Sequence, residues 1–288
     1  MSGTLTVCAT PIGNLEDISA RALEALRGAD LIAAEDTRHT LGLLNHFDIR
    51  TPMISCHKDN EADRSDEILA RLKEGKHVVL VSDAGTPAIS DPGEILVRRC
   101  HEDGIRVTAV PGPCAFITAL SMSGMPSRRF VFEGFLPASS KERAEVLARL
   151  RTEERTVILY EAPHRLRKTL EQLLEALGDR PAALARELTK VHEELLRMTL
   201  GEAVEYYRTT EPRGEYVLIL GGADPGELTR EQQARWENMS FTEHMQLYPD
   251  LPAKEAMKKV ARDRGIPRRE VYEALLKEKK TDGDGPSA

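Results

Sequence analysis

The 288 residues are 41% apolar and 30% charged, a globular balance that excludes general disorder. A 5% aromatic share excludes a broad base-stacking platform, and a net charge of −7 excludes a protein that coats nucleic acid through charge alone.

In chain order, the first half repeats one unit: a short β-rich run, a Gly/Pro loop and a stretch with helical apolar spacing. Strands are expected at Leu5–Ala9, Asp30–Ala34, Met53–Cys56, His77–Ser82 and Ile105–Val110. Helices are expected between them at Ile18–Arg27, Thr40–His46, Arg64–Lys73 and Glu94–His101. Such alternation builds a mostly parallel sheet. After Pro111–Pro113 comes a helix over Ala115–Ser123. Strands are then expected at Phe130–Phe132, Thr156–Tyr160, Ala182–Ala185 and Glu215–Leu220, with a further one at Leu195–Leu200. Helical periods at Lys141–Arg151 and Leu166–Leu177 would cover this less regular, mixed sheet.

From Ala223 the pattern is helical. Ser240-Phe241-Thr242-Glu243 has capping-box spacing, and Ala256–Arg264, a turn at Gly265-Ile266-Pro267 and Arg268–Leu276 match a helix-turn-helix. Between Leu251 and Lys280, ten Lys and Arg face five Asp and Glu, a local excess of five positive charges. The expected organisation is an α/β lobe at 1–113, a second lobe at 114–222, a helical module at 223–280 and a disordered tail at 281–288.

Cys8, Cys56, Cys100 and Cys114 form no CxxC pair and read as free thiols in a reducing compartment. No zinc-ligand spacing is present, so no metal site is expected. The amino terminus enters a strand at once, without a basic stretch and long apolar core, and no run approaches a membrane span. The expected location is cytoplasmic.

Polar residues bunch where the first-half strands end: Thr10-Pro11-Ile12-Gly13-Asn14, Glu35-Asp36-Thr37-Arg38, His57-Lys58-Asp59-Asn60-Glu61 and the long loop Ser82–Gly93. Ligands of open parallel sheets bind at that edge, so one rim would collect these residues. The loops lack the GxGxxG of dinucleotide sites and the GK[ST] of triphosphate sites. Accessible backbone beside small side chains suits an adenosine moiety instead.

The segments Ala9–Leu15, Ala34–Arg38, Ser82–Gly93, Val110–Pro113 and Tyr160-Glu161-Ala162-Pro163-His164-Arg165 resemble, block by block and in order, the small-subunit ribosomal RNA branch of the tetrapyrrole methylase superfamily. The resemblance spans about residues 5–222, and the helical carboxyl terminus is similar to that branch's appended helix-turn-helix. It implies a two-lobed homodimer with S-adenosyl-L-methionine in a cleft between lobes, and methyl transfer to the ribose 2′-oxygen of a 16S rRNA cytidine in the decoding region. It implies cofactor contacts at Ser82, Asp83, Ala84, Gly85, Thr86, Ile89, Cys114, Ala115, Tyr160, Glu187, Leu188 and Thr189; Pro11 and Gly13 of the first loop are placed with them. Cys114 stands where relatives commonly carry Ser.

Transfer to a hydroxyl needs positioning and a proton acceptor. Asp36 or Glu35 is the first candidate, with helix capping as the competing role, and His57 is the second. Arg38, Arg165, Lys190, Lys258, Arg268 and Arg269 are the expected rRNA contacts, with solvated surface charge the alternative. Two other functions compete. One is carbon methylation of a tetrapyrrole on the same fold; the other is non-catalytic nucleic-acid binding led by the carboxyl-terminal helices.

Overall fold

The computed structural model describes residues 2–226, 236 and 238–281, and the chain forms two compact units, Met1–Gly222 and Ala223–Ala288. The first unit contains two five-stranded sheets.

In the amino-terminal sheet, strands β1 (Thr4–Cys8), β2 (Leu31–Ala34), β3 (Met53–Ser55), β4 (His77–Val81) and β5 (Arg106–Val110) lie in the order β3-β2-β4-β1-β5, all parallel. Alternate residues of β4 explain why the sheet is covered twice. Val78 and Leu80 pack with Ile68, Leu69 and Leu72 of α3 (Glu61–Lys73) and with Leu96 and Cys100 of α4 (Glu94–Glu102). Val79 and Val81 pack with Ala22 and Leu26 of α1 (Ala20–Gly28) and Leu44 of α2 (Thr37–His46). Where both faces are covered, as at β2 and β4, the strand reads as a continuous apolar run and polar residues are displaced to its ends.

The second sheet joins β6 (Phe130–Phe135), β7 (Thr156–Glu161), β8 (Pro181–Arg186), β9 (Glu194–Thr199) and β10 (Tyr216–Leu220) in the order β6-β7-β10-β8-β9. Only β6 and β7 pair in parallel; β10 runs antiparallel to both its neighbours, giving the expected mixed sheet. Leu159, Leu184 and Leu218 face α6 (Ser140–Leu150), α7 (Pro163–Leu177) and α8 (Leu200–Thr209). Ile158, Ala183 and Ile219 face Ala119 and Leu120 of α5 (Ala115–Ser123).

Several expected boundaries move for local reasons. Helix α2 starts at Thr37 rather than Thr40, because Asp36 caps it by accepting the Arg38 amide. Helix α8 has no counterpart in the sequence reading, which extended the preceding strand to Leu200. Thr199 instead opens a capping box with Glu202 and turns the chain into a helix.

In the second unit, Ser240 caps α9 (Phe241–Gln246) through the expected box with Glu243. Helix α10 (Ala253–Arg264) ends on Gly265 in the left-handed conformation, and α11 (Arg268–Thr281) follows. Val260, Ala261 and Val271 form the centre of this unit's core. The predicted tail lies, from residue 282 on, outside the described residues.

Candidate active site

The carboxyl ends of β1, β2, β4 and β5 open onto one cavity of about 320 Å³, bounded across from them by the second sheet. That volume falls in the range of small-molecule sites, roughly 300–1,000 Å³. The first lobe contributes Ile12, Glu35, Asp83–Thr86 and Ile89–Asp91, and Cys114 and Ala115 follow at the junction where the second lobe begins. The second contributes Phe135 and Tyr160–Ala162 from the ends of β6 and β7, Glu187, Leu188 and Lys190 after β8, and Glu215–Val217 where antiparallel β10 begins.

The loops that form the floor are pinned to each other. Thr10 and Gly85 exchange backbone hydrogen bonds of 2.9 and 3.1 Å, and the Thr10 hydroxyl donates to the Ser82 carbonyl. The Thr86 hydroxyl donates to the Pro113 carbonyl at 3.1 Å, tying the β4 loop to the β5 loop. The 82–93 loop carries left-handed backbone at Gly85 (φ 85°), Ala88 (φ 65°) and Ser90 (φ 67°). Two of these are not glycine, and such conformations persist only where the surrounding structure holds them. The loop's far end is held by Glu61, whose Oε1 accepts from the amides of Gly93, Ile95 and Leu96 at 2.9, 2.9 and 3.2 Å.

Lobe touches lobe beside the cavity. The Asn14 amide donates to the Thr189 hydroxyl at 3.1 Å, and a Cβ on Gly13 would stand 2.5 Å from Lys190 Cγ. Gly13 is therefore needed for this close approach. Thr189 serves the same contact, and neither it nor Gly13 or Pro11 lines the cavity. Ser82 is buried beneath the floor. The other expected cofactor contacts, Asp83, Ala84, Gly85, Thr86, Ile89, Cys114, Ala115, Tyr160, Glu187 and Leu188, all line it.

The three expected proton acceptors separate. Asp36 caps α2 and forks onto Arg38 at 2.9 and 3.2 Å, and these bonds pull its carboxyl down to about 2. It is outside the cavity lining and too acidic to hold a proton near neutrality. His57 follows the edge strand β3, where its amide donates to Asn60 Oδ1, and it too is outside the lining. Glu35 lines the cavity; burial raises its carboxyl, and the nearby charges of Asp83 and Asp36 add to the rise while the Asp83 amide opposes it.

A group missing from the expected set is Asp91. Burial, reinforced by the Glu35 charge, pushes its carboxyl up to about 6 against the opposing Ser82 hydroxyl. Its signal was present, since it lies in the same polar loop as Asp83 and Gly85. Glu215, Tyr216 and Val217 had no such signal, because they sit at the start of a strand.

The expected RNA contacts also divide. Arg165 is drawn inward, donating to the Leu136 carbonyl at 2.7 Å and lying 3.3 Å from Glu161. Lys190 bridges Glu187 and Glu215 at 3.0 and 3.1 Å in the cavity wall. Burial alone would lower this ammonium, but its two carboxylates outweigh that and raise it. Arg38 is on the surface, paired with Asp36. In the helical unit Lys258 pairs with Glu255 and Arg269 with Glu273, whereas Arg268 has no ion pair among the described residues. Exposed pairs of this kind contribute about 0.2–1 kcal/mol and open readily for a phosphate.

A parallel sheet thus faces a mixed sheet across a cleft of strand ends. Residues 4–204 match the family of tetrapyrrole (corrin/porphyrin) methylases. A ribosomal RNA small subunit methyltransferase I from Halalkalibacterium halodurans is 47% identical over 272 residues, 94% of this chain and 93% of its own. The protein of the same name from Synechocystis is 47% identical over 275 residues, covering 95% and 98%. A crystal structure of uroporphyrin-III C-methyltransferase from Thermus thermophilus, complexed with S-adenosylhomocysteine, shares the fold with a TM-score of 0.53 at 20% identity, covering 76% of this chain and 97% of that one. The chain belongs to the tetrapyrrole methylase family and, within it, to the ribosomal RNA small subunit methyltransferases I. The family is one of S-adenosylmethionine-dependent methyltransferases. No helix among the described residues is long and apolar enough to cross a membrane.

Proposed function

We propose that this chain transfers the methyl group of S-adenosylmethionine to the ribose 2′-oxygen of a cytidine in the decoding region of 16S rRNA, acting in the cytoplasm as a homodimer. The observation that carries the reading is the charge of the cleft. Among the described residues, Glu35, Asp83, Asp91, Glu161, Glu187 and Glu215 line it against Lys190 alone. Such a wall attracts the sulfonium cation of the donor and repels a multiply carboxylated macrocycle, which favours the RNA reading over tetrapyrrole methylation.

The residues present fit the donor. Backbone groups of Asp83–Thr86 would hold its polar parts, and Ile89, Cys114, Ala115, Tyr160 and Leu188 offer apolar surface for an adenine ring. When bound, the donor supplies an activated methyl group. The chain's part is to orient the incoming hydroxyl, exclude water and accept a proton. Arg38 and the helical unit's Lys258, Arg268 and Arg269 would meet RNA phosphates outside the cleft. The two lobes are assigned to 1–113 and 114–222, and the helical module to 223–280.

The experiment is methyl transfer from labelled donor to unmodified 30S particles, with the product mapped to a nucleotide. The expected product is one 2′-O-methylcytidine in 16S rRNA. Label on a porphyrinoid or on protein, with none on rRNA, refutes the reading, and failure of the chain to bind S-adenosylhomocysteine refutes the cofactor assignment.

A further inference from the structure

The cleft carboxylates differ in what already occupies them. Glu161 is closed off: it accepts from the Ala162 amide at 2.9 Å and the Thr169 hydroxyl at 2.5 Å, and pairs with Arg165. Glu187 and Glu215 share the Lys190 ammonium. Asp83 accepts the Asp36 amide at 3.0 Å, and Glu35 accepts the Asp83 amide at 3.3 Å, so these two tie the end of β2 to the end of β4. Asp91 is the remaining one, with the Ser82 hydroxyl beside it. Among the described residues it has no ion pair, it faces the cavity, and it sits one residue from the left-handed Ser90 on a loop fixed at both ends.

We infer that Asp91, facing the cavity from a loop fixed at both ends, accepts the proton of the hydroxyl being methylated; this rests on the proposed reading of the cleft. In the step, a lone pair of the hydroxyl oxygen forms the new C–O bond while the donor's C–S bond breaks. The pair of electrons from that bond goes to sulfur and discharges the sulfonium. The hydroxyl proton goes to the Asp91 carboxylate and then to solvent. The titratable groups around Asp91 are Glu35 after β2, Asp83 after β4 and Tyr160 on β7, a phenol that burial keeps neutral. None of them places a cation beside Asp91, so its carboxyl is held above the ordinary carboxylate range and below neutrality. A base so placed is ionised at working pH yet strong enough to take a proton.

The test uses the full chain with Asp91→Asn and Asp91→Glu. Single-turnover transfer to 30S particles should fall by at least about 100-fold in Asp91→Asn, the usual loss for a general base, and recover in part in Asp91→Glu. S-adenosylhomocysteine, whose sulfur is uncharged, should bind Asp91→Asn within about threefold of the unsubstituted chain by calorimetry. The unsubstituted rate should rise tenfold per pH unit and level off near pH 6, and that inflection should vanish in Asp91→Asn. Carbon-13 NMR of labelled aspartates should show one carboxyl titrating near 6 that is lost in the same variant. A variant rate within threefold of the unsubstituted chain, a persistent inflection, or an Asp91 carboxyl in the ordinary range overturns the assignment. So does loss of S-adenosylhomocysteine binding by folded Asp91→Asn, which would make Asp91 a donor contact. If the unsubstituted chain fails to methylate rRNA, the functional reading falls, and the NMR titration still decides the state of Asp91.

Discussion

Glu61 couples the fold to the cleft, since it joins one helix to the start of the next and to the end of the 82–93 loop. It is buried at 6% exposure on α3, and its Oε1 receives the Gly93, Ile95 and Leu96 amides that open α4. Gly93 has no side chain with which to cap that helix, and its φ of 131°, with Leu80 Cδ2 only 2.7 Å from where a Cβ would stand, leaves little room for one. The cap is therefore supplied from another helix. Hydrogen bonds to a charged acceptor contribute about 1.5–3 kcal/mol each, and a negative charge at a helix amino terminus adds roughly 0.3–1 kcal/mol. The three bonds share one oxygen and are not additive, and a water in the vacated space would satisfy part of the deficit. Glu61→Ala should then cost about 3–5 kcal/mol. Glu61→Gln keeps an acceptor oxygen and loses the charge, at about 1–2 kcal/mol. Urea unfolding followed by far-ultraviolet circular dichroism measures both. S-adenosylhomocysteine affinity should fall with Glu61→Ala, because Ile89, part of the apolar surface assigned to the adenine, lies shortly before the released end of the loop. Equal costs for the two variants, or a cost below about 1 kcal/mol for Glu61→Ala, would refute the reasoning.

Gly85→Val forces a β-branched residue to φ 85° with its Cβ 3.3 Å from Ile12 Cγ2, and should cost about 1–3 kcal/mol by thermal unfolding and weaken S-adenosylhomocysteine at least roughly tenfold by calorimetry. Asp91 is raised to about 6 in the folded chain against about 3.9 unfolded, so the native state binds the extra proton between these values and its penalty is absent below about pH 4 and complete above about pH 6. Asp91→Asn should accordingly be more stable than the unsubstituted chain at pH 8, by about 1 kcal/mol after allowing for solvent screening, with no gain at pH 4. In the helical unit His244 is fully buried, and burial together with the Arg264 charge lowers its imidazole below the usual value, with Asp263 opposing. The stability it lends is present above about pH 6.5 and is lost as pH falls below it. The single tryptophan, Trp236, stacks on His244 at 3.9 Å, so its fluorescence should show the unfolding midpoint dropping between pH 7.5 and 5.5, and His244→Phe should flatten that trend.

The rim was legible because a sheet buried on both faces forces polar residues to its strand ends, where Glu35, Asp83 and Gly85 stand out against Val-rich and Leu-rich runs. The assignment of chemistry within the rim was less legible, because it depends on competing short-range partners. Arg38, two residues on, captures Asp36 as a cap and ion pair, and Asn60 holds the turn that contains His57. Position along the chain does not reveal such capture. Arg165 and Lys190 read as rRNA-contacting cations in the sequence because sequence cannot show a carboxylate arriving from another element, as Glu161 and Glu215 do. Helix α8 was missed because Leu195–Leu200 reads as one apolar run, while the Thr199 and Glu202 side chains that turn it are common surface residues.

An acidic cleft in a protein whose relatives are named for RNA methylation requires an explanation, since RNA is itself a polyanion. The arrangement is consistent if the two charges are handled in different places. A sulfonium entering the cleft would meet Glu35 and Asp91, neither of which has an ion pair among the described residues, and at an effective dielectric of about 20 each charge within 4 Å would contribute roughly 4 kcal/mol of gross attraction before desolvation. The same field repels a phosphate, so only the uncharged sugar edge of a nucleotide can approach Asp91 closely. Phosphate contacts then fall to cations outside the cleft, and Arg38 is suited to this because its partner Asp36 belongs to the adjoining turn and its side chain is 90% exposed. Arg38→Ala should therefore weaken rRNA binding and reduce its salt dependence while leaving S-adenosylhomocysteine binding intact. A parallel loss of both would mean that donor and phosphate share one pocket, and the separation of charges argued here would be wrong.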